Sequence, residues 1–366
     1  MAALHNKYDK ETLRRMLEEE GLERTTISFY QYHHVKDPNV LRDEFYLGME
    51  SLGVLGRIYV AKEGVNAQIS IPSINEPKLR AFFNDNYPWL KDIRFNYARE
   101  ERGISFLKLK IKVREKIVAD GLNDDTFDVT NKGVHLSAEE FNELTSKEGV
   151  VLIDMRNHYE TEIGHFKGAI TPDVDTFRES LPVIVDDQAE NKEKPVVMYC
   201  TGGIRCEKAS AYFKHRGFKD VYQLEGGIIE YHRQVEEKGL ENRFLGKNFV
   251  FDDRRAEGIS GEVIGNCHQC NAAWDVHENC ANDACHLLFL QCPDCKDENK
   301  GCCSEECQEF MLLPDDLKKD FKSGMDFGTQ TFKKGRESLF VPAYNKWKAR
   351  NEERVSPYIE RNEKTN

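Results

Sequence analysis

Cysteine is missing from the first 199 residues of this chain, and nine of its eleven cysteines lie between Cys267 and Cys307. The chain also lacks any apolar run near the roughly 20 residues that cross a bilayer. Its first residues are charged and contain no apolar segment of the kind that signal peptides carry. The expected compartment is therefore the cytoplasm, where clustered cysteines hold metal more often than they form disulfides.

Excess positive charge is also absent, because the net charge is −12. Such a balance argues against indiscriminate binding of nucleic acid, and no DNA partner is expected. Residues 1–118 are the exception, since they carry 20 Lys and Arg against 17 Asp and Glu. A length of 366 residues predicts two or three domains.

The first region reads as a charged helical extension over residues 1–24, followed by a domain over residues 25–118. Its pattern of strands and helices follows the order β-α-β-β-α-β with one further strand. That order predicts a ferredoxin-like domain (a split βαβ, acylphosphatase-like sandwich).

The last strand of this domain carries an alternation of apolar and basic residues. A period of two places four cations on one face of the sheet, and these are Lys108, Lys110, Lys112 and Arg114. One interpretation is a solvated face whose lysines prevent edge-to-edge pairing. The other is a strip that binds phosphates.

A polar linker over residues 119–132 leads to a second domain over residues 133–245. Strands alternate with helices there, which predicts a parallel α/β sheet with functional groups at the carboxyl ends of its strands. A buried strand ending at Tyr199 runs directly into Cys200, and a helix follows.

The loop after this strand has the composition of an anion-binding nucleophile site. It consists of Cys200, Thr201, Gly202, Gly203, Ile204 and Arg205. Glycines let successive backbone N–H groups turn inward, and the arginine and the helix N-terminus add positive charge. These features lower the pKa of a thiol, so Cys200 is predicted to be the catalytic nucleophile, assisted by Arg205. Cys206 is either a resolving thiol or a small residue at the start of a helix.

Residues 246–315 form a cysteine-rich, zinc-binding-like region. Four pairs of thiolates could fill one or two tetrahedral zinc sites with a structural role. The candidate ligands are Cys267, Cys270, Cys280, Cys285, Cys292, Cys295, Cys303 and Cys307. Cys302 competes with Cys303, and His268, His277 and His286 are potential substitutes. A charged tail over residues 316–366 follows, and its part from Lys346 onward is expected to be frayed.

The second domain resembles the rhodanese superfamily. The resemblance rests on Asp154-Met-Arg156 after a strand, on Gly-His-x-x-Gly-Ala, on Leu-Glu-Gly-Gly, and on the loop from Cys200 to Arg205. It implies a loop cysteine that carries a persulfide, with Asp154, Arg156 and Cys206 in support. Related phosphatases have five residues between cysteine and arginine, whereas four stand here, so phosphatase activity is not expected.

The whole chain is similar to the bacterial rhodanese-domain tRNA uridine hydroxylases. Lys-Glu-Gly-Val-Asn at residues 62–66, Cys-Thr-Gly-Gly-Ile-Arg-Cys-Glu-Lys and the flanking cysteine motifs carry this resemblance. It implies 5-hydroxyuridine formation at the wobble position (position 34) of tRNA, with molecular oxygen as co-substrate and the anticodon region as partner. Under this resemblance Lys62 and the basic strand become candidate RNA contacts.

The chemistry of such a reaction is less evident from the residues. No dinucleotide fingerprint indicates a flavin or nicotinamide, and no triad of two histidines and a carboxylate stands out. One hypothesis is that the thiolate or persulfide of Cys200 adds to C6 of uracil and makes C5 electron-rich, while Arg205 and the loop amides stabilise the enolate. The alternatives are a thiosulfate-type sulfurtransferase that carries a Cys200 persulfide, and a zinc-stabilised adaptor without activity.

Overall fold

A computed structural model describes residues 9–98, 106–122, 126–250, 255–323 and 338–363. Within these ranges no helix is both long and apolar enough to cross a membrane. The described chain forms three regions, each with its own buried apolar cluster.

The first region is a five-stranded sheet with two helices on one face. Its elements are α1 (Lys10–Glu20), β1 (Arg24–Tyr32), α2 (Pro38–Ser51), β2 (Leu55–Ala61), β3 (Gly64–Pro72), α3 (Glu76–Asn86), β4 (Asn96–Tyr97) and β5 (Leu109–Val113). The strand order is β4-β1-β3-β2-β5, and β5 runs parallel to β2. The predicted ferredoxin-like architecture is confirmed.

Alternation along the strands gives this sheet two different faces. Ile27, Ile58 and Ile69 point to the helices and pack with Phe45 and Phe83. The opposite side, which we call the polar face, has two cross-strand rows. The first row is Asn96, Ser28, Gln68, Arg57 and Lys110, and the second is Tyr30, Asn66, Tyr59 and Lys112.

The second region is a parallel sheet, as predicted, and helices cover both of its faces. Its elements are β6 (Val134–Leu136), α4 (Ala138–Thr145), β7 (Val151–Asp154), α5 (His158–Thr161), β8 (Gly164–Phe166), α6 (Phe177–Asp187), β9 (Val196–Tyr199), α7 (Ile204–His215), β10 (Val221–Leu224), α8 (Gly227–Lys238) and β11 (Phe244–Phe249). The order β6-β10-β9-β7 places β9 inside the sheet. Cys200 therefore stands at the carboxyl end of an inner strand, where α/β sheets place functional groups.

The third region is small and held to the second by strand pairing, because β12 pairs with β11, which also pairs with β8. Its elements are β12 (Ala256–Gly258), β13 (His277–Asn279), β14 (Leu288–Leu290), α9 (Pro293–Glu298), α10 (Glu305–Leu312), α11 (Asp315–Ser323), α12 (Phe340–Arg350) and α13 (Glu352–Glu363).

The expectation that the chain frays from Lys346 onward is wrong for the described residues 346–363. These residues form the end of α12 and the whole of α13. Tyr344 and Val355 are fully buried in a cluster with Phe310 and Phe321. Apolar side chains at helical spacing bury these helices although their remaining residues are charged.

A buried lysine joins the first two regions. Lys208 on α7 lies 2.9 Å from Glu63 and 2.9 Å from Asp120 through Nζ, and it also donates to the carbonyl oxygen of Val118. Glu63 belongs to the turn between β2 and β3, so the ammonium group connects this turn to the helix that follows the Cys200 loop. Removing one partner of such a buried pair leaves an uncompensated charge and costs about 3–5 kcal/mol. The contact fixes the polar face over the loop.

Candidate active site and metal centres

The Cys200 loop turns its backbone amides toward the sulfur. The Sγ atom of Cys200 accepts a hydrogen bond of 3.1 Å from the N–H of Gly203. Gly203 has φ of 93°, and a Cβ at this position would lie 2.6 Å from the hydroxyl oxygen of Tyr30. Only glycine combines that backbone conformation with so close a neighbour. The glycine predicted to shape the loop is thus required by both its conformation and its contact with β1.

The loop stabilises the thiolate form of Cys200. Burial raises the pKa of the Cys200 thiol, but three effects outweigh it: a hydrogen bond from the Cys206 side chain, the charge of Arg205, and the backbone N–H groups of Cys206 and Arg205. The resulting pKa is about 6, well below the ordinary value. The thiol is therefore mostly ionised at neutral pH and can act as a nucleophile.

Arg205 is tied to a carboxylate that the sequence prediction missed. Its guanidinium group forms a two-pronged pair with Glu160, with N–O distances of 2.6 and 2.8 Å. Glu160 is fully buried, and Arg205 keeps the pKa of its carboxyl low although burial acts to raise it. Much of the arginine's charge is therefore balanced within the protein. Glu160 follows the Asp154-Met-Arg156 motif by four residues, but this spacing alone gave no sign of the pairing.

The three predicted supporting residues are buried close to the end of β9, the strand that leads into the loop. Asp154 and Arg156 are fully buried and form an ion pair of 2.7 Å, and Arg156 also donates to the carbonyl oxygen of Gly164. Cys206 is buried on the first turn of α7, and its side chain hydrogen-bonds that of Cys200. Burial and this neighbour raise the pKa of the Cys206 thiol well above its ordinary value. This contact places the Cys206 thiol within reach of the Cys200 sulfur.

A cavity of about 330 Å³ separates the Cys200 loop from the polar face. One wall comes from the loop, including Cys200, Gly202 and Arg205, and the other comes from the sheet. From the sheet, the lining residues include Ser28, Tyr30, Arg57, Asn66, Gln68 and Asn96. The volume falls within the range of about 300–1,000 Å³ that is usual for small-ligand sites. Cys200 thus lies at the wall of a space that both domains shape.

The basic strip lies at the edge of this polar face. Lys108, Lys110 and Arg114 are exposed and Lys112 is half-buried. The positive charge of Lys112 lowers the pKa of Lys110, which places these cations close together. Lys62 is exposed in the turn between β2 and β3.

Arg57 belongs to the same strip, although the sequence prediction left it out. It is exposed and stands opposite Lys110 across the pairing of β2 with β5. It also lines the cavity, so it connects the basic strip to the space in front of Cys200. The alternation of Arg57 and Tyr59 with Ile58 and Val60 was the signal that could have identified it.

The third region brings its cysteines into two groups of four. The groups are Cys267, Cys270, Cys292 and Cys295, and Cys280, Cys285, Cys303 and Cys307, and within each group the sulfur atoms lie within 4.8 Å of one another. We call them the first and second tetrads. Four thiols so close together fit the donor set that one tetrahedral ion takes. Both tetrads could therefore bind a metal, and Cys303 rather than Cys302 completes the second.

The suggestion that histidines substitute as ligands does not hold for His268 and His277. Both rings contact the carboxylate of Glu162, at 3.0 and 2.9 Å. Burial acts to raise the pKa of Glu162, but these two imidazoles lower it to about 2. Because Glu162 follows α5 of the second region, the histidines attach the first tetrad to that region. His286 is exposed and lies outside both tetrads.

Comparison with known proteins matches family models to all three regions. Residues 24–117 match a UPF0176 acylphosphatase like domain, residues 137–234 match a Rhodanese-like domain, and residues 245–308 match a Rhodanase C-terminal model.

Full-length relatives extend this likeness. A Leptospira interrogans protein called tRNA uridine(34) hydroxylase is 54% identical over 88% of this chain and 87% of its own length. A Yersinia pestis protein of the same name is 50% identical over 93% of this chain and 96% of its own length. The likeness spans all three regions.

Proposed function

The chain belongs to the tRNA uridine(34) hydroxylase family, and on this premise we propose that it hydroxylates C5 of uridine 34 in tRNA, with Cys200 as the reactive centre. The observation that carries the proposal is the cavity between the Cys200 loop and the polar face, because it joins a nucleophilic thiolate to a surface that leads to a basic strip. Since tRNA is the substrate, we place the activity in the cytoplasm.

The proposed reaction is an oxidation with molecular oxygen as co-substrate. One oxygen atom enters at C5, and the other leaves as water with two electrons and two protons from an external dithiol, which becomes a disulfide. The Cys200 sulfur adds to C6, which moves electron density onto C5 and O4. After oxygen enters, loss of the C5 proton and departure of the sulfur from C6 restore the ring.

Loop amides have the larger role in stabilising charge in this scheme. The N–H of Gly203 donates to the Cys200 sulfur and α7 begins directly after it, so both stabilise the thiolate that attacks C6. Arg205 cannot serve as a free cation, because Glu160 occupies its guanidinium group. We therefore assign Arg205 to holding the loop and lowering the pKa of Cys200. Asp154 and Arg156 support the loop from below.

The basic strip would hold the anticodon arm. Lys62, Lys108, Lys110, Lys112 and Arg114, with Arg57, form one positive edge next to the cavity. Contacts to phosphates position an RNA without reading its sequence. The strip would therefore orient the arm so that the wobble base can enter the cavity.

Zinc is the metal proposed for both tetrads. Four cysteine sulfurs without a position left for water or substrate are typical of structural zinc. In that role the ions stabilise the third region. The pairing of β12 with β11 holds this region against the second region. No step of the hydroxylation requires these ions.

Nucleoside mass spectrometry tests the function. We would analyse tRNA from cells that lack this gene and carry either the wild-type gene or Cys200→Ala. We expect 5-hydroxyuridine derivatives with the wild-type gene and none with Cys200→Ala, at equal protein levels. If tRNA is unaffected by the wild-type gene and the purified protein instead turns over thiosulfate and cyanide rapidly, the sulfurtransferase alternative replaces the proposal.

A further inference from the structure

Asn96 lines the cavity, and its buried side-chain amide has an acceptor that no described residue uses. Its side chain is 7% exposed, and it lines the cavity beside Cys200. Among the residues that the structure describes, none donates a hydrogen bond to its Oδ1 atom. A buried acceptor without a donor is unfavourable, so such atoms usually have a partner in the working complex.

Asn96 also stands next to the catalytic loop. A Cβ built on Gly202 would lie 3.5 Å from the Nδ2 atom of Asn96, and Gly202 is two residues from Cys200. The amide group therefore lies against the loop that carries the reactive sulfur. Gly202 leaves open the space in front of this amide.

We propose that Asn96 is the base-reading residue, which accepts a hydrogen bond from N3–H of the target uracil at Oδ1. This inference rests on the proposed function and names the group that recognises its substrate. Uracil carries one ring N–H, between two carbonyl oxygens, and Nδ2 of the same amide can donate to one of these oxygens. The C5–C6 edge lies on the far side of the ring and stays free for chemistry.

The rest of the cavity suits a pyrimidine held at this point. Phe106, Phe177 and Ile229 line the cavity and provide apolar walls for a flat ring. A nucleotide enters such a pocket by leaving the base stack, as in other enzymes that modify bases. Pairing of the exposed base edge with a fixed amide replaces the hydrogen bonds that it had with water.

The first row of the polar face continues from Asn96 to the basic strip. Ser28, Gln68, Arg57 and Lys110 follow Asn96 in order across neighbouring strands. With strands about 4.8 Å apart, the row spans roughly 19 Å. Polar side chains thus line a path from the base to the cations that would bind flanking phosphates. Sheets of this fold class serve as platforms for single-stranded RNA in other proteins.

The test measures binding of anticodon stem-loop RNAs to the full-length protein. Two RNAs differ only at position 34, which is uridine in one and 3-methyluridine in the other, so that the second lacks the N3–H donor. For the wild type, we expect the methyl group to raise Kd about ten- to a hundredfold, since one buried acceptor loses its partner. For Asn96→Ala, we expect weak binding of the uridine RNA and little further loss from the methyl group.

Asn86→Ala is the matched control, because Asn86 ends α3 on the helical side of the same domain, does not line the cavity, and its Nδ2 already donates to the carbonyl oxygen of Phe82. We expect this variant to keep the full effect of the methyl group. An equal effect in the wild type and in Asn96→Ala would overturn the assignment. If Asn96→Ala does not fold, equal Kd values of the two RNAs for the wild type alone would overturn it.

The experiment also separates this inference from the proposed function. The protein could bind the uridine RNA tightly and form 5-hydroxyuridine, yet show no effect of N3 methylation. That result would support the proposed function and contradict only the role of Asn96. Absence of binding to either RNA would instead contradict the proposed function itself.

Discussion

Cys200 and the cysteines of the two tetrads are the same residue type in opposite surroundings. Around Cys200 the neighbours are backbone N–H groups, one thiol and one paired arginine. Around each tetrad cysteine the neighbours are three further thiols. A single thiolate among N–H donors is stable by itself and reactive, whereas four thiolates repel one another until a cation joins them. The geometry, more than the residue type, separates a nucleophile from a metal ligand.

Removing one tetrad ligand should have the largest effect. We expect purified wild type to hold about two zinc ions per chain and Cys292→Ser to hold about one, with a markedly lower unfolding temperature. Metal binding in such sites contributes on the order of 10 kcal/mol to folding, which explains the size of the loss. Metal analysis and thermal unfolding of the same samples provide the measurement.

Two cysteine variants serve as controls for this metal prediction. Cys200→Ala should keep both ions because Cys200 lies in another region. Cys302→Ala should also keep both, since Cys303 and not Cys302 belongs to the second tetrad. Loss of one ion in Cys302→Ala would show that the ligand assignment between these neighbours is wrong.

The reactivity of Cys200 should give the next largest effect. Its pKa of about 6 means that the thiolate, and with it the alkylation rate, rises as pH increases through about 6 and is constant above about 7. An ordinary thiol would show its midpoint at about 8.5. Iodoacetamide labelling at a series of pH values, followed by mass spectrometry of the Cys200 peptide, measures this midpoint in the zinc-loaded protein.

The double variant Glu160→Gln/Arg205→Gln tests the cause of this low pKa. It replaces the ion pair by two neutral amides, so no buried charge is left without a partner. Because the charge of Arg205 lowers the pKa of Cys200, the midpoint should move up toward the ordinary value. An unchanged midpoint would mean that the backbone amides and Cys206 suffice without the arginine.

The same contrast explains what the sequence could predict. Periodicity and loop composition identified both sheets, the Cys200 loop and the cysteine pairs, because these depend on neighbours in the chain. The Glu160–Arg205 pair and the Lys208 contact with Glu63 were not predicted, since they join residues 45 and 145 positions apart. Asn96 was missed for the same reason: only the fold places β4 beside Gly202. The helical structure after Lys346 was not predicted, because charged residues there outnumber the few apolar residues that bury these helices.

Changes in the basic strip should give the smallest effect, and one that salt can reveal. Arg57 and Lys110 lie at the outer end of the row that begins at Asn96, so they are expected to contact phosphates and not the base. Lys110→Ala/Lys112→Ala should weaken binding of an anticodon stem-loop several-fold. It should also reduce the slope of log K against log salt concentration by about 1 to 2, because fewer counterions are released on binding when phosphate contacts are lost.

A second pair of lysines separates this effect from the loss of charge in general. Lys319→Ala/Lys322→Ala removes two exposed cations from α11, in the third region and away from the polar face. Its salt slope should match that of the wild type. If both double variants lower the slope equally, the RNA responds to the overall charge of the protein, and the strip on β5 is a solvated edge that prevents strand pairing. If only the β5 pair does so, and the effect of N3 methylation at position 34 is unchanged in that variant, the phosphates and the base are bound by separate ends of one sheet face.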